Sequence, residues 1–323
     1  MHREKTKRIT SIGGQALVEG IMMRGPQKTE LAVRMPDGSV SKEELKSETL
    51  REKNRLWRLP FFRGIAGFVD SLTVGYRALS RSVDLTGTDD GEEEETKFDR
   101  WVQKTFGDHV MGAIMTAATV LGVLLAVALF FVLPTWLFNR IDSAAGPGFS
   151  AWRSPVEGVM RIVIFLVYLI LCSRMKEMHR LFEYHGAEHK TIFCYENGEE
   201  LTVENVRKHQ RFHPRCGTSF MVLMLLIGII IGFFIPFTNP FLRTAAKLLC
   251  IPIVVGVGYE LIRYCGRNDN MLTRVIAAPG LWMQRITTKE PDDGMIEVAI
   301  AAMKEVIPEN GEDVVGAPRA EVG

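Results

Sequence analysis

Five of the seven histidines in this chain fall within one polar stretch between two apolar blocks. In that stretch the run His185-Gly-Ala-Glu188-His189 spaces its imidazoles four residues apart, so on a helix both lie on one face. Two neutral imidazoles one turn apart can chelate a divalent metal, and a neighbouring carboxylate can take a proton from a bound water. The spacing predicts a metal centre with His185 and His189 as ligands and Glu188 as general base.

The same stretch ends in His213-Pro-Arg-Cys216, which offers another imidazole and a thiolate. Cysteine sulfur is a soft ligand that suits zinc or iron, so His213 and Cys216 complete a predicted ligand set for which zinc is the best match. Other interpretations of these residues stay open. Histidines near a membrane are often solvated or ion-paired, a cysteine at a span boundary can be a small buried hydrophobe, and Gly186 weakens a helix.

The charged residues of the chain are segregated from its apolar residues. Of 323 residues 47% are hydrophobic and 24% charged, and the formal net charge is +1. This balance gives no basic signature, so we expect no nucleic-acid partner. Long apolar blocks between charged stretches are typical of a polytopic membrane protein. The basic N-terminus lacks the apolar core of a signal peptide, and five scattered cysteines favour reduced thiols beside a cytoplasm.

Four apolar stretches are long enough to cross a membrane as helices, since the hydrocarbon core requires about 20 mostly apolar residues. These stretches lie at 111–138, 156–172, 218–237 and 244–264. Lys and Arg are concentrated before the first stretch, between the second and third, and after the fourth, which places those segments on the cytoplasmic side. The sequence therefore predicts an α-helical polytopic membrane protein with four transmembrane helices in domain 111–264. Both termini and the histidine-rich loop 173–217 are expected in the cytoplasm.

The region before the spans is expected to be cytoplasmic or interfacial. Residues 1–59 predict a small β element, with strands at 16–23 and 30–35, a turn at 36–39 and a third strand from Val40. Residues 60–84 carry apolar side chains at helical spacing. They predict an amphipathic helix that lies in the membrane interface, or alternatively a soluble helix packed on the β element. Residues 85–110 form an acidic linker.

The region after the spans divides in two. Residues 265–307 contain an apolar segment interrupted by Pro279-Gly280, which either lies in the interface or caps the cytoplasmic site, and then a helix opened by Pro291. Residues 308–323 are polar and glycine-rich and predict a disordered tail.

Charged residues inside spans are costly and usually face a partner or a cavity. Glu260 could pair with Arg263 three residues later, or reach the histidine loop as a further ligand. The second possibility follows the inverted zinc-protease pattern, which shares the His-x-x-Glu-His spacing and takes a downstream glutamate as a ligand. Arg161 is expected to anchor its helix near the outer face by snorkelling.

Four short sequence motifs are distributed along the chain: GGQALVEGIMMRG at 13–25, YHGAEHK at 184–190, HPRCGTSF at 213–220 and PGLWMQRI at 279–286. Together they resemble those of a bacterial membrane family, the YqhQ-like proteins, also called domain-of-unknown-function family 1385. The resemblance implies a predicted metal-dependent enzyme of the inner membrane. It also points to Gln15, Glu19 and Arg24 as site candidates, with Glu19 as a second catalytic group; alternatively, Glu19 and Arg24 are surface charges on a strand.

The leading expectation is a membrane-embedded metal-dependent hydrolase that acts at the cytoplasmic membrane face on a lipid or an interfacial peptide. A catalytic zinc requires an open coordination position, whereas four protein ligands would close the site. The alternative is therefore a non-catalytic scaffold or assembly factor with a structural metal. A transporter or channel is a third possibility, but the first and third spans hold almost no polar residues.

Overall fold

The computed structural model describes residues 9–46, 50, 54–87, 108–146, 148–268 and 270–316. The strands of these residues are β1 (Ile9–Thr10), β2 (Gly13–Leu17), β3 (Gly20–Arg24), β4 (Thr29–Arg34), β5 (Val40–Glu44) and β6 (Val314–Gly316). The α-helices are α1 (Phe62–Thr86), α2 (Asp108–Val127), α3 (Leu133–Ala145), α4 (Arg153–Cys172), α5 (Lys176–Glu196), α6 (Val203–Arg207), α7 (Gly217–Gly232), α8 (Pro240–Leu249), α9 (Ile251–Arg267), α10 (Met271–Thr287) and α11 (Asp293–Val306). A π-helical turn, Ala128–Val132, joins α2 to α3, and short 3-10 helices occur at Arg55–Arg58 and Phe149–Trp152.

The chain divides into two compact units. The first comprises Met1–Asp89, Leu169–Met224 and Pro252–Gly323, and the second comprises Asp90–Tyr168 and Leu225–Ile251. The first unit contains the sheet and every sequence-predicted site residue. The second contains the apolar helical stretch Ala117–Ala145 and most of the stretch Phe149–Cys172.

Strands β2 to β5 form an antiparallel sheet in sequence order. The predicted strand at 16–23 is in fact a hairpin, in which Leu17 pairs with Gly20 and Gln15 with Met22. Its two-residue turn is Val18-Glu19, and Glu19 has a positive φ of 48°. Such tight turns require left-handed backbone, which glutamate rarely adopts, so the turn has no sequence signal. The predicted strands at 30–35 and from Val40 are present as β4 and β5.

The sheet is covered on both faces. Ile21 and Met23 of β3 lie in one core with Tyr184 and Ala187 of α5 and with the buried face of α11. Residues of the other face pack with α1; the buried members of this second core are Leu17, Met22, Leu31, Val33, Val74 and Ala78. Burial on both faces explains why β3 and β4 read as continuous apolar runs rather than as alternating ones.

Helix α1 packs on the β element, as one of the two interpretations of residues 60–84 predicted, and it also exposes large apolar side chains. Its small residues, including Ala66 and Ala78, are fully buried, and Ala78 packs in the core beneath the sheet. Its large apolar side chains point away: Val69 is 42% exposed, Leu72 58% and Tyr76 73%. The helix thus packs on the β element and still presents an uncovered apolar stripe.

The described chain contains two helical stretches long and apolar enough to cross a membrane, Ala117–Ala145 and Phe149–Cys172. Helices α8 and α9 would make a third span if the pair, bent by 46°, crosses as one. The sequence predicted four spans. The difference arises because the third apolar stretch is helical only to Gly232, and because Pro252 lies at the bend of the fourth.

The C-terminal region is more ordered than predicted. Helix α10 runs through Pro279 without interruption, and the helix after Pro291 begins at Asp293 with Asp292 as its N-cap. The tail was expected to be disordered from residue 308, but β6 pairs with β1, a contact between chain ends that local composition does not encode. Residues 88–107 of the predicted acidic linker and residues 317–323 of the tail lie outside the described residues.

Candidate metal centre

Helix α5 carries three of the predicted site residues, His185, Glu188 and His189, within about one turn. His185 and His189 are one turn apart, with ring centroids 4.4 Å from each other, and His189 and Glu188 are buried. Gly186 lies in the helix interior, where the segment after α10 approaches closely: a Cβ on Gly186 would lie 2.0 Å from the carbonyl oxygen of Lys289. The glycine that weakens the helix is therefore required by packing.

Three side chains converge on one point. Donor atoms of His185, His189 and Cys216 all lie within 4.8 Å of one another, and His185 Nε2 is 3.1 Å from Cys216 Sγ. The Nδ1 atom of each imidazole faces a backbone carbonyl oxygen. His185 Nδ1 is 2.8 Å from the Thr287 oxygen, and His189 Nδ1 is 2.5 Å from the Arg211 oxygen. A carbonyl accepts only from a protonated Nδ1, so both rings turn an Nε2 lone pair towards the sulfur. This is the outer-shell arrangement typical of metal-ligating histidines.

The loop that carries Cys216 is fixed by one glutamine. The amide of Gln284 bonds the backbone of His213 twice, accepting from its N–H and donating to its carbonyl, both at 2.7 Å. Gln284 is fully buried. Sequence analysis missed it because a glutamine near a helix end has no distinctive spacing. The same helix contributes the Thr287 carbonyl, so α10 closes the site, as one interpretation of this segment proposed.

The electrostatics of the site favour metal ligation. Burial lowers the pKa of His189 to about 4, so its imidazole is neutral at pH 7. Burial alone would raise the pKa of the Cys216 thiol, but the contacts of its sulfur with His189 and Thr218 outweigh burial and lower that pKa. A neutral imidazole and a readily ionised thiol are the forms that bind divalent metals.

Glu188 lies beside the ligands and against β2. Burial raises its pKa to about 7; the nearby His185 opposes that rise, Cys216 adds to it, and the Gly14 backbone N–H, which donates to the carboxylate, opposes it. A Cβ on Gly14 would approach the Glu188 carboxyl carbon to 3.0 Å, so glycine is needed at this position. A carboxyl group with a pKa near neutrality can exchange a proton at the pH of a cytoplasm.

His213 is close to the site but is directed elsewhere. Its ring centroid is 5.5 Å from that of His189, and its Nε2 lies 3.8 Å from Glu196 Oε2. Glu196 also forms an ion pair with Arg215. The converging group in the described chain therefore contains Cys216 but not His213 from the His-Pro-Arg-Cys motif.

Glu19 and Gln15 connect the sheet to the helices that pack on it. The Glu19 carboxylate pairs with Arg180 and accepts a hydrogen bond at 3.1 Å from the hydroxyl of Tyr184, the residue before His185. Gln15 lies against α1, where its Oε1 is 2.4 Å from the position a Cβ on Gly75 would take. Both residues connect the β element to the helices, so the N-terminal region does contact the histidine loop.

The hydrogen bonds of Glu260 differ from both predictions made for it, a pair with Arg263 and a role as ligand in the histidine loop. Its carboxylate accepts from Arg63 Nε at 2.7 Å and from the Phe61 backbone N–H at 3.2 Å, both at the start of α1. It is therefore not paired with Arg263 by proximity in sequence and is not a ligand of the histidine loop. The partner lies 197 residues away along the chain, so sequence spacing could not indicate it.

A second group with metal-binding chemistry lies at the end of α5. Cys194, Glu199 and His209 also bring donor atoms within 4.8 Å of one another. His209 Nε2 is 3.2 Å from Glu199 Oε2, and Cys194 donates to the Glu200 carbonyl at 3.6 Å.

The fold and the site define a mostly helical protein with candidate membrane spans and a His-His-Cys cluster. The chain belongs to the family described as "Protein of unknown function (DUF1385)", whose profile matches residues 59–309. It is 32% identical over 298 residues to the "Uncharacterized protein YqhQ" of Bacillus subtilis, which covers 91% of this chain and 92% of the relative. No solved structure matches the chain.

Proposed function

We propose that this protein is a metal-dependent hydrolase of the bacterial inner membrane, with its site at the cytoplasmic face. The observation that carries the proposal is the converging donor set of His185, His189 and Cys216, with both imidazoles oriented by carbonyl oxygens and the Glu188 carboxyl group alongside. Two imidazoles and one thiolate match the ligand types of zinc, and three protein ligands leave a coordination position for water.

The three ligands, Glu188 and the groups around them would have separate roles in the reaction. A metal held by the three ligands would supply Lewis acidity and lower the pKa of a bound water. Glu188 would accept the proton of that water and return it to the leaving group, a role that its pKa of about 7 suits. The Gly14 N–H and the Thr287 and Arg211 carbonyls would hold these groups in place.

The substrate class is inferred from the surroundings of the site. Helix α1 packs on the same sheet as α5 and exposes the apolar stripe of Val69, Leu72 and Tyr76. Such a stripe is typical of a helix that lies in the membrane interface. We therefore expect a lipid or an interfacial peptide as substrate, and a multi-pass chain, four-span as the sequence indicates, whose termini are cytoplasmic.

The second candidate is a scaffold or assembly factor in which the metal only links α5 to the loop of Cys216. It is favoured by the burial of Glu188 against Gly14, which limits the access of a substrate to the carboxyl group. A structural site does not require Glu188, whereas a hydrolase does.

Metal content tests the centre itself. Wild-type protein purified in mild detergent without chelators is compared, by elemental analysis, with the double variant His185→Ala/His189→Ala and with His209→Ala, which alters only the second group. About one zinc or iron per chain that is lost in the double variant and kept in His209→Ala would support the proposal. Wild-type protein without metal even after incubation with zinc, or metal that is lost only with His209, would overturn it.

Glu188→Gln separates the two candidate functions. In a hydrolase this variant keeps its metal and loses turnover of lipid ester and peptide substrates presented in vesicles. Equal turnover in wild type and Glu188→Gln would exclude the general-base role.

A further inference from the structure

The second group at the end of α5 is built from one continuous stretch of chain. Cys194 lies in the last turn of α5, Glu199 follows the turn that ends this helix, and His209 lies just beyond α6. Their spacing is Cys-x4-Glu-x9-His. Donor atoms of the three side chains all lie within 4.8 Å of one another. Thiolate, carboxylate and imidazole are the side-chain groups that bind zinc in proteins.

The end of α5 turns the chain back so that Glu199 approaches Cys194. Gly198 has a positive φ of 66°, and the Glu199 N–H donates to the Cys194 carbonyl at 3.2 Å. This is a common way to end a helix, and glycine is favoured in its left-handed position. The carboxylate is therefore placed beside the thiol by the backbone and not by chance contact of two mobile side chains.

The short helix α6 brings His209 to the same place. Thr202 caps this helix, since its hydroxyl accepts from the Asn205 N–H at 3.3 Å. Val206 of α6 is fully buried in the same core as Cys194. The His209 N–H donates to the Val206 carbonyl at 3.1 Å, so the histidine continues the last turn of α6. The packing of α6 thus determines the position of the imidazole.

The surroundings of His209 differ from those of an ordinary ion pair. Cys194 is fully buried, and the side chains of Glu199 and His209 are only 19% and 14% exposed. The Asn197 amide lies 3.2 Å from His209 Nδ1. Turned over, this amide accepts the Nδ1 proton and leaves the Nε2 lone pair to a metal, as outer-shell partners of ligating histidines do.

Another histidine of α5 provides the comparison. His179 lies 3.4 Å from Glu183, and its side chain is 49% exposed. Among the described residues no third ligand joins that pair. The group at the end of α5 therefore differs from a surface ion pair in two respects, burial and the presence of the cysteine.

We propose that Cys194, Glu199 and His209 bind a second divalent metal, zinc by ligand type, which links the end of α5 to α6. The metal replaces the hydrogen bond between His209 and Glu199 and the one from the Cys194 thiol to the Glu200 carbonyl. The thiol proton is released to solvent as the sulfur binds. One thiolate and one carboxylate balance the charge of a divalent ion, which suits a largely buried site. This inference is independent of the function proposed for the first centre.

The second metal is expected to bind more weakly than the first. Two of its three ligands are partly open to water, and both hydrogen bonds must break before it binds. Dialysis against metal-free buffer should therefore empty the second site and leave the first occupied. The metal content of purified or cobalt-substituted protein then depends on the first centre alone.

The test is a calorimetric zinc titration of the full-length double variant His185→Ala/His189→Ala in detergent, since its first centre is disabled. We expect saturable uptake of about one zinc per chain with micromolar affinity. Cys194→Ser and His209→Asn, each added to this background, should abolish the uptake. His179→Asn is the matched control and should leave the uptake unchanged, because it also removes a histidine of α5 or its flanking loop that is paired with a glutamate.

Wild-type protein saturated with zinc keeps the proposal testable if the double variant does not unfold cooperatively. Under excess zinc, His209→Asn should hold about one ion per chain fewer than the wild type, and His179→Asn the same number as the wild type. Three results would each overturn the assignment: no uptake by the folded double variant, uptake that survives Cys194→Ser and His209→Asn, or an equal loss in His179→Asn.

Discussion

The close approach at Gly186 makes the substitution Gly186→Ala the most direct test of how α10 closes the site. The new methyl carbon would lie 2.0 Å from the Lys289 carbonyl oxygen, and atoms of this kind do not approach within 3.0 Å. The segment after α10 must therefore retreat by at least 1 Å. Such overpacking costs about 1–3 kcal/mol, and a weakened hydrogen bond from Lys289 N–H to the Phe182 carbonyl, now 2.8 Å long, costs about 1 kcal/mol more.

The helix itself gains about 1 kcal/mol from replacing glycine by alanine, so the net destabilisation is about 1–3 kcal/mol. The effect on metal binding should be of the same size as the effect on stability. Thr287, two residues before Lys289, supplies the carbonyl that holds His185 Nδ1 at 2.8 Å. Displacing that carbonyl should lower metal affinity by about 10- to 100-fold, as loss of an outer-shell partner typically does.

The assay is a chelator competition for metal affinity together with thermal unfolding of the same samples. Gly122→Ala is the matched control, because it is also a substitution inside a helix and its methyl group meets no atom within 4 Å. It should retain wild-type metal affinity and gain slightly in stability. If Gly186→Ala binds metal and unfolds like Gly122→Ala, the reasoning about the closure by α10 is refuted.

Three further outcomes are expected. In metal-free protein the folded-state pKa of Glu188, about 7, lies above its ordinary value of 4.5, so the contribution of Glu188 to stability is full below pH 4.5 and declines as the pH rises to 7. Glu188→Gln should remove that decline, a difference of about 3 kcal/mol above pH 7, measured by unfolding at pH 5 and pH 8; parallel profiles would contradict it. Cys216→Ser should abolish the thiolate-to-cobalt absorption band of cobalt-substituted protein, and persistence of the band would show that Cys216 is not a ligand. Glu19→Gln should keep full metal content in elemental analysis and lose at most about 1 kcal/mol in thermal unfolding, since its pair with Arg180 is partly exposed. Metal loss in this variant would instead place Glu19 in the site.

The sequence by itself determined the parts of the site that depend on local spacing. A four-residue interval on one helix brings His185 and His189 together whatever else the fold does, and it puts Glu188 beside them. A short apolar run likewise indicated β4, and periodic apolar residues indicated α1 and α11. The matched signatures agree with the family to which the chain belongs. Each of these features extends over a few turns or one strand, which is the range over which sequence pattern reports structure.

Only the tertiary structure decided which residues complete the site and why. Three features depend on the docking of α10 and its flanking segment against α5. Cys216 joins the cluster and His213 does not, the carbonyls of Thr287 and Arg211 orient the two imidazoles, and Gln284 holds the backbone of the loop. These partners are separated from the ligands by tens of residues, so no local period encodes them. The helix boundaries were set in the same way, because apolar residues predict burial or lipid contact, whereas the third apolar helix of the described chain ends at Gly232.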